Sequence, residues 1–246
     1  MPEADACFAD PRLARLYDPL DPDRGDLDAY LAMAREFGAR RVVDLGCGTG
    51  VLALLLAGRG LDVVGVDPAA ASLDVARGKA GAERVRWIHG DAGELPVLGA
   101  DLVTMTGNAA QAVVDARDWR RTLRGAYRAL RPGGRLVLET RDPARRAWEG
   151  WNRARTHEVT DVAGVGPVEH WIDLVGVDGP LVTFRSSYVL GTPAEKLVSH
   201  STLRFRERDE VVADLVEHGY AVAEVREAPD RPGREFVFVA RRPGAE

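Results

Sequence analysis

The stretch Val42-Val-Asp-Leu-Gly-Cys-Gly-Thr-Gly50 joins a short apolar run to a turn with glycines at positions 46, 48 and 50. Val51–Ala57 follows it with a helical pattern. Glycine permits a tight turn and lets a ligand approach the backbone, and a helix behind the turn offers free N–H groups. The stretch therefore predicts a strand, a ligand-binding turn and a helix. A dinucleotide-binding turn is the obvious rival, but its G-x-G-x-x-G pattern needs glycine where this chain has Val51.

Apolar runs of strand length alternate with helical patterns from position 42 to position 140. Strands buried on both faces and separated by helices are typical of a parallel, doubly wound sheet. Beyond it, a helix and two more strands are expected at 207–218, 220–226 and 236–241. The predicted strands of the first part are Val42–Leu45, Val63–Val66, Val85–Ile88, Leu102–Met105 and Arg135–Thr140, with helices over Ala69–Lys79 and Trp119–Leu130.

A different pattern separates the fifth strand from the helix at 207–218. Four short apolar runs follow one another there without helices, and turn-forming residues such as Asp178-Gly-Pro180 separate them. This pattern favours an antiparallel meander. We therefore expect an antiparallel lid, residues 147–206, inserted after strand five of a single domain that spans 1–246. Its predicted strands are Arg155–Ala163, Val168–Val175, Leu181–Leu190 and Leu197–Phe205.

Residues 1–40 are expected to form a helical cap. Asp10 precedes a proline, which predicts an N-cap and a helix over Arg12–Tyr17. Asp26 is expected to cap a second helix, Leu27–Phe37, which Gly38 ends in the left-handed conformation.

The composition narrows the classes of function. A formal net charge of −5 gives no basic surplus for a nucleic-acid groove, and no apolar stretch has the ~20 residues of a membrane span. The two cysteines, Cys7 and Cys47, are expected to be free thiols in a cytoplasmic protein. The five histidines are scattered and no cluster of acids suits magnesium, so no metal site is expected. Homodimerisation is left open.

The segment Asp44-Leu-Gly-Cys-Gly-Thr-Gly50 resembles the first motif of class I S-adenosylmethionine-dependent methyltransferases. The resemblance implies a Rossmann-like α/β fold whose sheet has seven strands, the last of them antiparallel. It also implies that Asp44 holds the methionine amine of S-adenosylmethionine. Gly46, Cys47 and Gly48 would line the methionine and ribose side, and Cys47 is better explained as a small residue on a crowded turn than by a catalytic role.

Three further segments fall where this family has motifs. Val64-Gly-Val-Asp67-Pro68 ends the second strand, which implies that Asp67 accepts the ribose hydroxyls; the alternative is a cap on the next helix. Gly90-Asp91-Ala92 ends the third strand and resembles the motif in which Asp91 and Ala92 meet adenine. Leu130-Arg-Pro-Gly-Gly134 and the strand ending in Glu139 resemble the family's turn before strand five, a structural feature.

The residues after strand four are expected to lie near the sulfonium and the acceptor. In an open α/β sheet, ligands bind at the carboxyl ends of the strands. Thr106, Gly107, Asn108 and Gln111 occupy that place, and Asn108 and Gln111 either contact the cofactor or satisfy the turn. The segment lacks the Asn/Asp-Pro-Pro-Tyr/Phe motif of methyltransferases that act on bases or glutamine amides. Tyr17 either closes over the cofactor, as an N-terminal aromatic does in small-molecule members, or packs within the first helix.

Strand alternation selects the lid residues that face the acceptor, because successive side chains point to opposite faces. Two strands contribute to one largely apolar face, whose polar members include His170 and Tyr188. These two are the candidates for orienting or deprotonating the acceptor, and packing within the lid is the alternative. His200 lies on a mixed face with Arg204 and ranks lower. The full set on that face is Val168, His170, Ile172, Leu174, Val182, Phe184, Ser186, Tyr188 and Leu190.

Methyl transfer from S-adenosylmethionine to a nitrogen or oxygen atom of a small molecule, such as a natural-product intermediate, is the expected function. Two rivals belong to other classes: an NAD-dependent oxidoreductase and a non-catalytic S-adenosylmethionine-binding protein. Turnover with an acceptor distinguishes the last from an enzyme.

Overall fold

A computed structural model of the chain describes residues 4–191 and 194–244, and its strands form two separate sheets. In chain order the strands are β1 (Arg41–Leu45), β2 (Asp62–Asp67), β3 (Val85–His89), β4 (Ala100–Met105), β5 (Leu130–Arg141), β6 (Glu158–Val162), β7 (Gly166–Asp178), β8 (Leu181–Leu190), β9 (Glu195–Arg204), β10 (Ala221–Glu227) and β11 (Glu235–Arg241). The α-helices are α1 (Ala6–Ala9), α2 (Pro11–Ala14), α3 (Tyr17–Leu20), α4 (Asp28–Glu36), α5 (Val51–Gly58), α6 (Ala70–Arg77), α7 (Ala109–Ala112), α8 (Ala116–Ala129), α9 (Arg153–Thr156) and α10 (Arg208–Glu217). None of these helices has the length and apolarity needed to cross a membrane.

The larger sheet has seven strands in the order β10-β11-β5-β4-β1-β2-β3. Strands β1 to β5 pair in parallel, whereas β11 runs antiparallel to both β5 and β10. The predicted fold class, a Rossmann-like α/β sheet with an antiparallel last strand, is therefore confirmed.

Helices cover both faces of this sheet, and β1 shows how the sequence causes it. Val42 is fully buried in the cluster formed with α4 and α5, and Val43 is fully buried in the cluster formed with α8 and α10. Successive side chains point to opposite faces, so a strand between two helical layers must be apolar at consecutive positions. Each such side chain contributes about 1.5–3 kcal/mol through its burial.

The second sheet, called here the inserted sheet, contains β6–β9 in sequence order and lies between β5 and α10 along the chain. All its pairs are antiparallel. The predicted strand Arg155–Ala163 is wrong at its start, because α9 occupies Arg153–Thr156 and Asn152 caps it by accepting the N–H of Arg155. Positions 192 and 193 of the predicted lid lie outside the described residues.

The N-terminal segment departs most from prediction. The single helix expected over Arg12–Tyr17 is wrong, since two one-turn helices, α2 and α3, occupy this region and a third, α1, precedes them. The cap at Asp10 is confirmed: its Oδ1 accepts the N–H of Arg12 at 2.8 Å.

The predicted start of the next helix is also wrong. A 3-10 turn over Gly25–Leu27 precedes α4, and the side chain of Asp26 bonds Arg24 instead of capping the helix. The predicted end is confirmed, because Gly38 has a φ of +61°.

Helix α1 touches both the inserted sheet and the larger domain. The N–H of Cys7 donates to Ser199 Oγ on β9 at 2.9 Å. On the other side, Ser72 Oγ on α6 donates to the carbonyl of Phe8 at 3.0 Å. The N-terminal segment therefore bridges the two sheets near the carboxyl ends of β1 and β2.

Candidate cofactor and acceptor site

The glycine turn between β1 and α5 is fixed on the end of β2. The N–H groups of Gly46 and Cys47 donate to the carbonyl of Val66 at 2.8 and 3.1 Å. Gly46 has a φ of +72°, and a Cβ atom there would lie 2.6 Å from the Cβ of Ala109. Only glycine combines this backbone conformation with so close an approach. The turn thus holds the ends of β1, β2 and α7 together.

Asp67 ends β2 and binds the same turn from the side. Its Oδ2 accepts the N–H of Gly48 and its Oδ1 accepts the N–H of Ala69, both at 2.8 Å. The next residue, Pro68, places its carbonyl 2.9 Å from Nε2 of His89. The bond to Ala69 is a local contact before α6 and does not cap that helix, whose N-cap residue is Ala69 itself. Each carboxylate oxygen has a second lone pair, so these two bonds do not prevent Asp67 from accepting further hydrogen bonds.

Asp44 is buried beneath the turn, with 2% of its surface exposed. Its Oδ1 accepts the hydroxyl of Thr104 on β4 at 2.9 Å. Desolvation raises the pKa of the Asp44 carboxyl to about 7, and the nearby charge of Asp67 adds to this. A buried carboxylate without a bonded cation is well suited to receive one from a ligand.

Cys47 is buried on the same turn, and burial raises the pKa of its thiol well above the ordinary value. A thiol that stays protonated is a poor nucleophile. Both cysteines are free, as predicted.

Asp91 and Ala92 follow β3, as the motif requires. Asp91 Oδ1 accepts the N–H of Gly93 at 2.7 Å, and Arg121 on α8 lies 3.2 Å from Oδ2. Ala92 is buried. The carboxylate is therefore fixed, with 21% of its side chain exposed for a further contact.

The turn after β4 has an unusual backbone. Gly107 and Asn108 are consecutive residues with φ of +62° and +68°. Thr106 precedes them and closes the turn by accepting the N–H of Ala109 at 3.2 Å. Asparagine tolerates this left-handed region better than most residues, and such strain is concentrated at functional sites.

Glu139 on β5 holds this turn in place, a role that the sequence did not indicate. Its Oε1 accepts the N–H of Gly107 at 2.5 Å, and its Oε2 accepts the hydroxyl of Tyr30 on α4. Burial raises the pKa of the Glu139 carboxyl.

Gln111 is fully buried, in contrast to Thr106, Gly107 and Asn108. Its Oε1 accepts the N–H of Arg141 at 3.1 Å and its Nε2 donates to the carbonyl of Arg204 at 3.5 Å. The geometry favours the alternative that Gln111 satisfies the local backbone, so direct contact with a cofactor is not supported for this residue.

A second group that the sequence did not indicate fastens α3 to the glycine turn. Asp18 Oδ1 accepts the hydroxyl of Thr49 at 2.6 Å, and Lys79 bonds both Asp18 Oδ2 at 2.5 Å and the carbonyl of Thr49 at 2.7 Å. Tyr17, the adjacent residue, is half-buried with its ring 5.7 Å from that of Phe8. The aromatic therefore lies on a helix anchored to the turn.

His170 and Tyr188 share one face of the inserted sheet, as the alternation predicted, and they meet there across β7 and β8. They are directly opposite in the register, and their rings stack at 4.7 Å with an angle of 26°. Tyr188 is buried against Leu13 and Leu16 of the N-terminal segment. His170 is half-buried, and desolvation lowers its pKa. Within the described ranges its ring makes no hydrogen bond, so packing of a hydrogen-bonded histidine does not explain it.

The opposite face of the inserted sheet contains both buried and exposed side chains. Trp171, which lies on it, is buried with its indole 4.3 Å from the guanidinium of Arg153. His200 on β9 is exposed and lies across from Arg185. His200 is thus on the other side of the sheet from His170.

Comparison with known proteins shows which family the glycine turn and its surroundings resemble. Residues 42–134 match the family described as a methyltransferase domain. Cypemycin N-terminal methyltransferase from Streptomyces sp is 38% identical over 126 residues, which is 51% of this chain and 51% of that protein. The chain spans about half the length of the curated relatives it matches.

Solved structures resemble nearly the whole chain. An S-adenosylmethionine-dependent methyltransferase from Clostridium acetobutylicum has a TM-score of 0.74 at 16% identity, covering 95% of this chain and 98% of its own. CalS10, an amino pentose methyltransferase from Micromonospora echinaspora, has a TM-score of 0.70 at 22% identity and covers 93% and 95%. These likenesses establish a shared fold, and with the domain match they confirm the resemblance to class I methyltransferases.

Proposed function

We propose, from the methyltransferase domain that residues 42–134 form, that the chain transfers a methyl group from S-adenosylmethionine to a nitrogen or oxygen atom of a small molecule. One observation carries the proposal: a buried, cation-free Asp44 and a backbone-anchored Asp67 flank a glycine turn at the carboxyl ends of parallel strands. The relative named for an N-terminal methylation supports an amine as the acceptor.

The proposed cofactor contacts follow the order of the strands. Asp44 would hold the methionine ammonium, and the backbone of Gly46–Gly48 would lie along the methionine and ribose. Asp67 would accept the ribose hydroxyls with its remaining lone pairs, supported by Pro68. Asp91 and Ala92 would meet adenine. Thr106–Asn108 and Tyr17 would surround the sulfonium, which supplies the electrophilic methyl group when the cofactor is bound.

The inserted sheet is proposed as a lid, residues 147–206, over the acceptor. Catalysis then depends on holding the acceptor atom in line with the methyl group, away from water. His170 and Tyr188 are the candidates for orienting the acceptor or accepting its proton. An amine needs no base once it is neutral, whereas a hydroxyl often does.

Two measurements test the proposal, first cofactor binding and then methyl transfer. Calorimetry should detect binding of S-adenosylmethionine and no binding of NAD, because the glycine turn lacks the dinucleotide-binding pattern. Labelled methyl transfer should then be measured with panels of amines, hydroxyls and carboxylates. Binding of NAD instead of S-adenosylmethionine would identify an oxidoreductase. Cofactor binding without methyl transfer to any compound of these panels would favour a non-catalytic binding protein.

Cofactor binding is expected to release a proton below pH 7. The pKa of Asp44 is about 7 in the folded chain, above its ordinary 3.8. The protonated carboxyl therefore stabilises the folded state at acid pH, and this stabilisation is lost as the pH rises through 7. A bound ammonium favours the carboxylate, so affinity should fall about tenfold per pH unit below 7. Calorimetry in two buffers of different ionisation enthalpy measures the number of protons that binding releases.

The control for this experiment is Asp44→Asn, which cannot titrate and should bind weakly with no proton release. Release of a proton by that variant, or no release by the natural chain at about pH 6, would show that another group titrates.

Activity is expected to survive EDTA. Within residues 4–191 and 194–244 no group of three or more His, Cys, Asp or Glu side chains is arranged to hold a metal ion. The assay is methyl transfer before and after chelation, with dialysis alone as the control. Loss of activity that Mg²⁺ restores would contradict the prediction.

A further inference from the structure

Arg141 has a mostly buried side chain whose ion pair is long. Its side chain is 21% exposed, and its Nε lies 3.5 Å from Glu235 Oε1, a long ion pair across β5 and β11. In the part of the chain that the structure describes, its guanidinium donates no hydrogen bond. A guanidinium carries five N–H donors, and buried charges are normally paired.

Arg206 is a second buried arginine of this fold, and its contacts are those of a structural residue. It is also buried, but it donates to the carbonyls of Ala110 and Val113 at 3.2 and 2.7 Å, and its guanidinium stacks 4.1 Å from the ring of Trp119. These contacts account for its burial. Arg141 has longer contacts of both kinds, an ion pair at 3.5 Å with Glu235 and a distance of 5.6 Å to the ring of Trp151.

Arg141 lies at the edge of the proposed acceptor site. It is the last residue of β5 and shares a face with Glu139, whose carboxylate bonds the turn at Gly107. Two residues along a strand correspond to about 7 Å. On its other side the guanidinium lies 5.6 Å from the ring of Trp151, which packs at 4.8 Å on Phe184 of the inserted sheet. Arg141 is therefore located between the larger sheet and the inserted sheet.

The acids around Arg141 are shared with other hydrogen-bond donors. Glu235 is closer to Arg231, at 2.7 Å, so one carboxylate serves two guanidiniums. The two oxygens of Glu139 already accept from Gly107 and Tyr30. The donors of Arg141 thus remain available to a ligand.

We propose that Arg141 binds an anionic group of the acceptor, a carboxylate or a phosphate, and so selects acidic small molecules. A guanidinium presents paired N–H donors that match two oxygens of either group. The inference rests on the proposed function, because it assumes that an acceptor occupies the space beneath the inserted sheet.

The test uses the whole chain saturated with S-adenosylhomocysteine, with inorganic phosphate and acetate as probes. Calorimetry should give a dissociation constant for the preferred ion that rises roughly 10- to 150-fold in Arg141→Gln, because bonds to a charged group contribute about 1.5–3 kcal/mol. Glu235→Gln should tighten binding by removing the competing carboxylate. Arg131→Gln is the matched control, since Arg131 lies at the other end of β5 and pairs with Asp101.

Preference for phosphate would indicate a phosphorylated acceptor, and preference for acetate a carboxylic acid; both support the proposal. Equal binding by Arg141→Gln, or no binding of either ion by the natural chain, would overturn it. The initial titration with S-adenosylhomocysteine reports separately on the proposed function, so failure there is distinguishable from failure of the anion site.

Discussion

His170→Ala is expected to lower kcat about 10²–10⁴-fold while the affinity for S-adenosylmethionine stays unchanged, the range for loss of a general acid or base. Burial lowers the pKa of His170, so its imidazole is neutral at pH 7 and can accept a proton. The rate of the natural chain should therefore fall as pH drops through that lowered pKa. Methyl transfer to an acceptor from the screen and calorimetry with the cofactor measure the two properties separately.

His200→Ala is the matched control, because His200 lies on the next strand but one and is exposed on the face opposite His170. It should leave kcat unchanged. Tyr188→Phe tests the stacked partner by removing only the hydroxyl. Near-normal turnover in both His170→Ala and Tyr188→Phe would show that the inserted sheet only covers the acceptor. Asn108 and Tyr17 would then be the candidates for orienting or deprotonating it.

Asp67→Ala is expected to weaken cofactor binding roughly 10- to 150-fold, since hydrogen bonds to a charged group contribute about 1.5–3 kcal/mol. The substitution would remove the proposed ribose acceptor. It would also leave the N–H groups of Gly48 and Ala69 without their 2.8 Å acceptor, which loosens the glycine turn. Calorimetry with S-adenosylmethionine measures the change.

The control is Asp62→Ala at the opposite end of β2, where the side chain is 59% exposed and pairs with Arg41. An exposed pair contributes little, so this variant should bind the cofactor normally. Unchanged affinity in a folded Asp67→Ala protein would remove Asp67 from the ribose site.

Local sequence patterns predicted the larger sheet well. The glycine turn, the apolar strands and the left-handed Gly38 each depend on residues that are neighbours in the chain. The N-terminal helices were predicted less well, because Asp26 has a competing partner, Arg24, two residues away. A capping residue in the sequence does not reveal which of two local hydrogen bonds forms.

Parts of the candidate site depend on contacts between distant residues, and no local pattern indicates them. Asp18 and Thr49 are 31 positions apart, and Gly107 and Glu139 are 32 apart. Alternation within the inserted sheet predicted that His170 and Tyr188 share a face, but their direct pairing depends on the register, which the turn of the hairpin fixes. It did not predict that Trp171 would be buried on the other face, where Arg153 of α9 covers it.

The N-terminal segment has contacts on two sides, and under the proposed function these would couple the binding of the two substrates. Asp18 fastens it to the glycine turn, while Cys7 and Leu16 attach it to the inserted sheet. Where one ligand restricts the motion of such a segment, the second ligand has less conformational entropy to remove. Such linkage is reciprocal, so the factor by which the methyl donor would tighten acceptor binding equals the factor by which the acceptor would tighten donor binding.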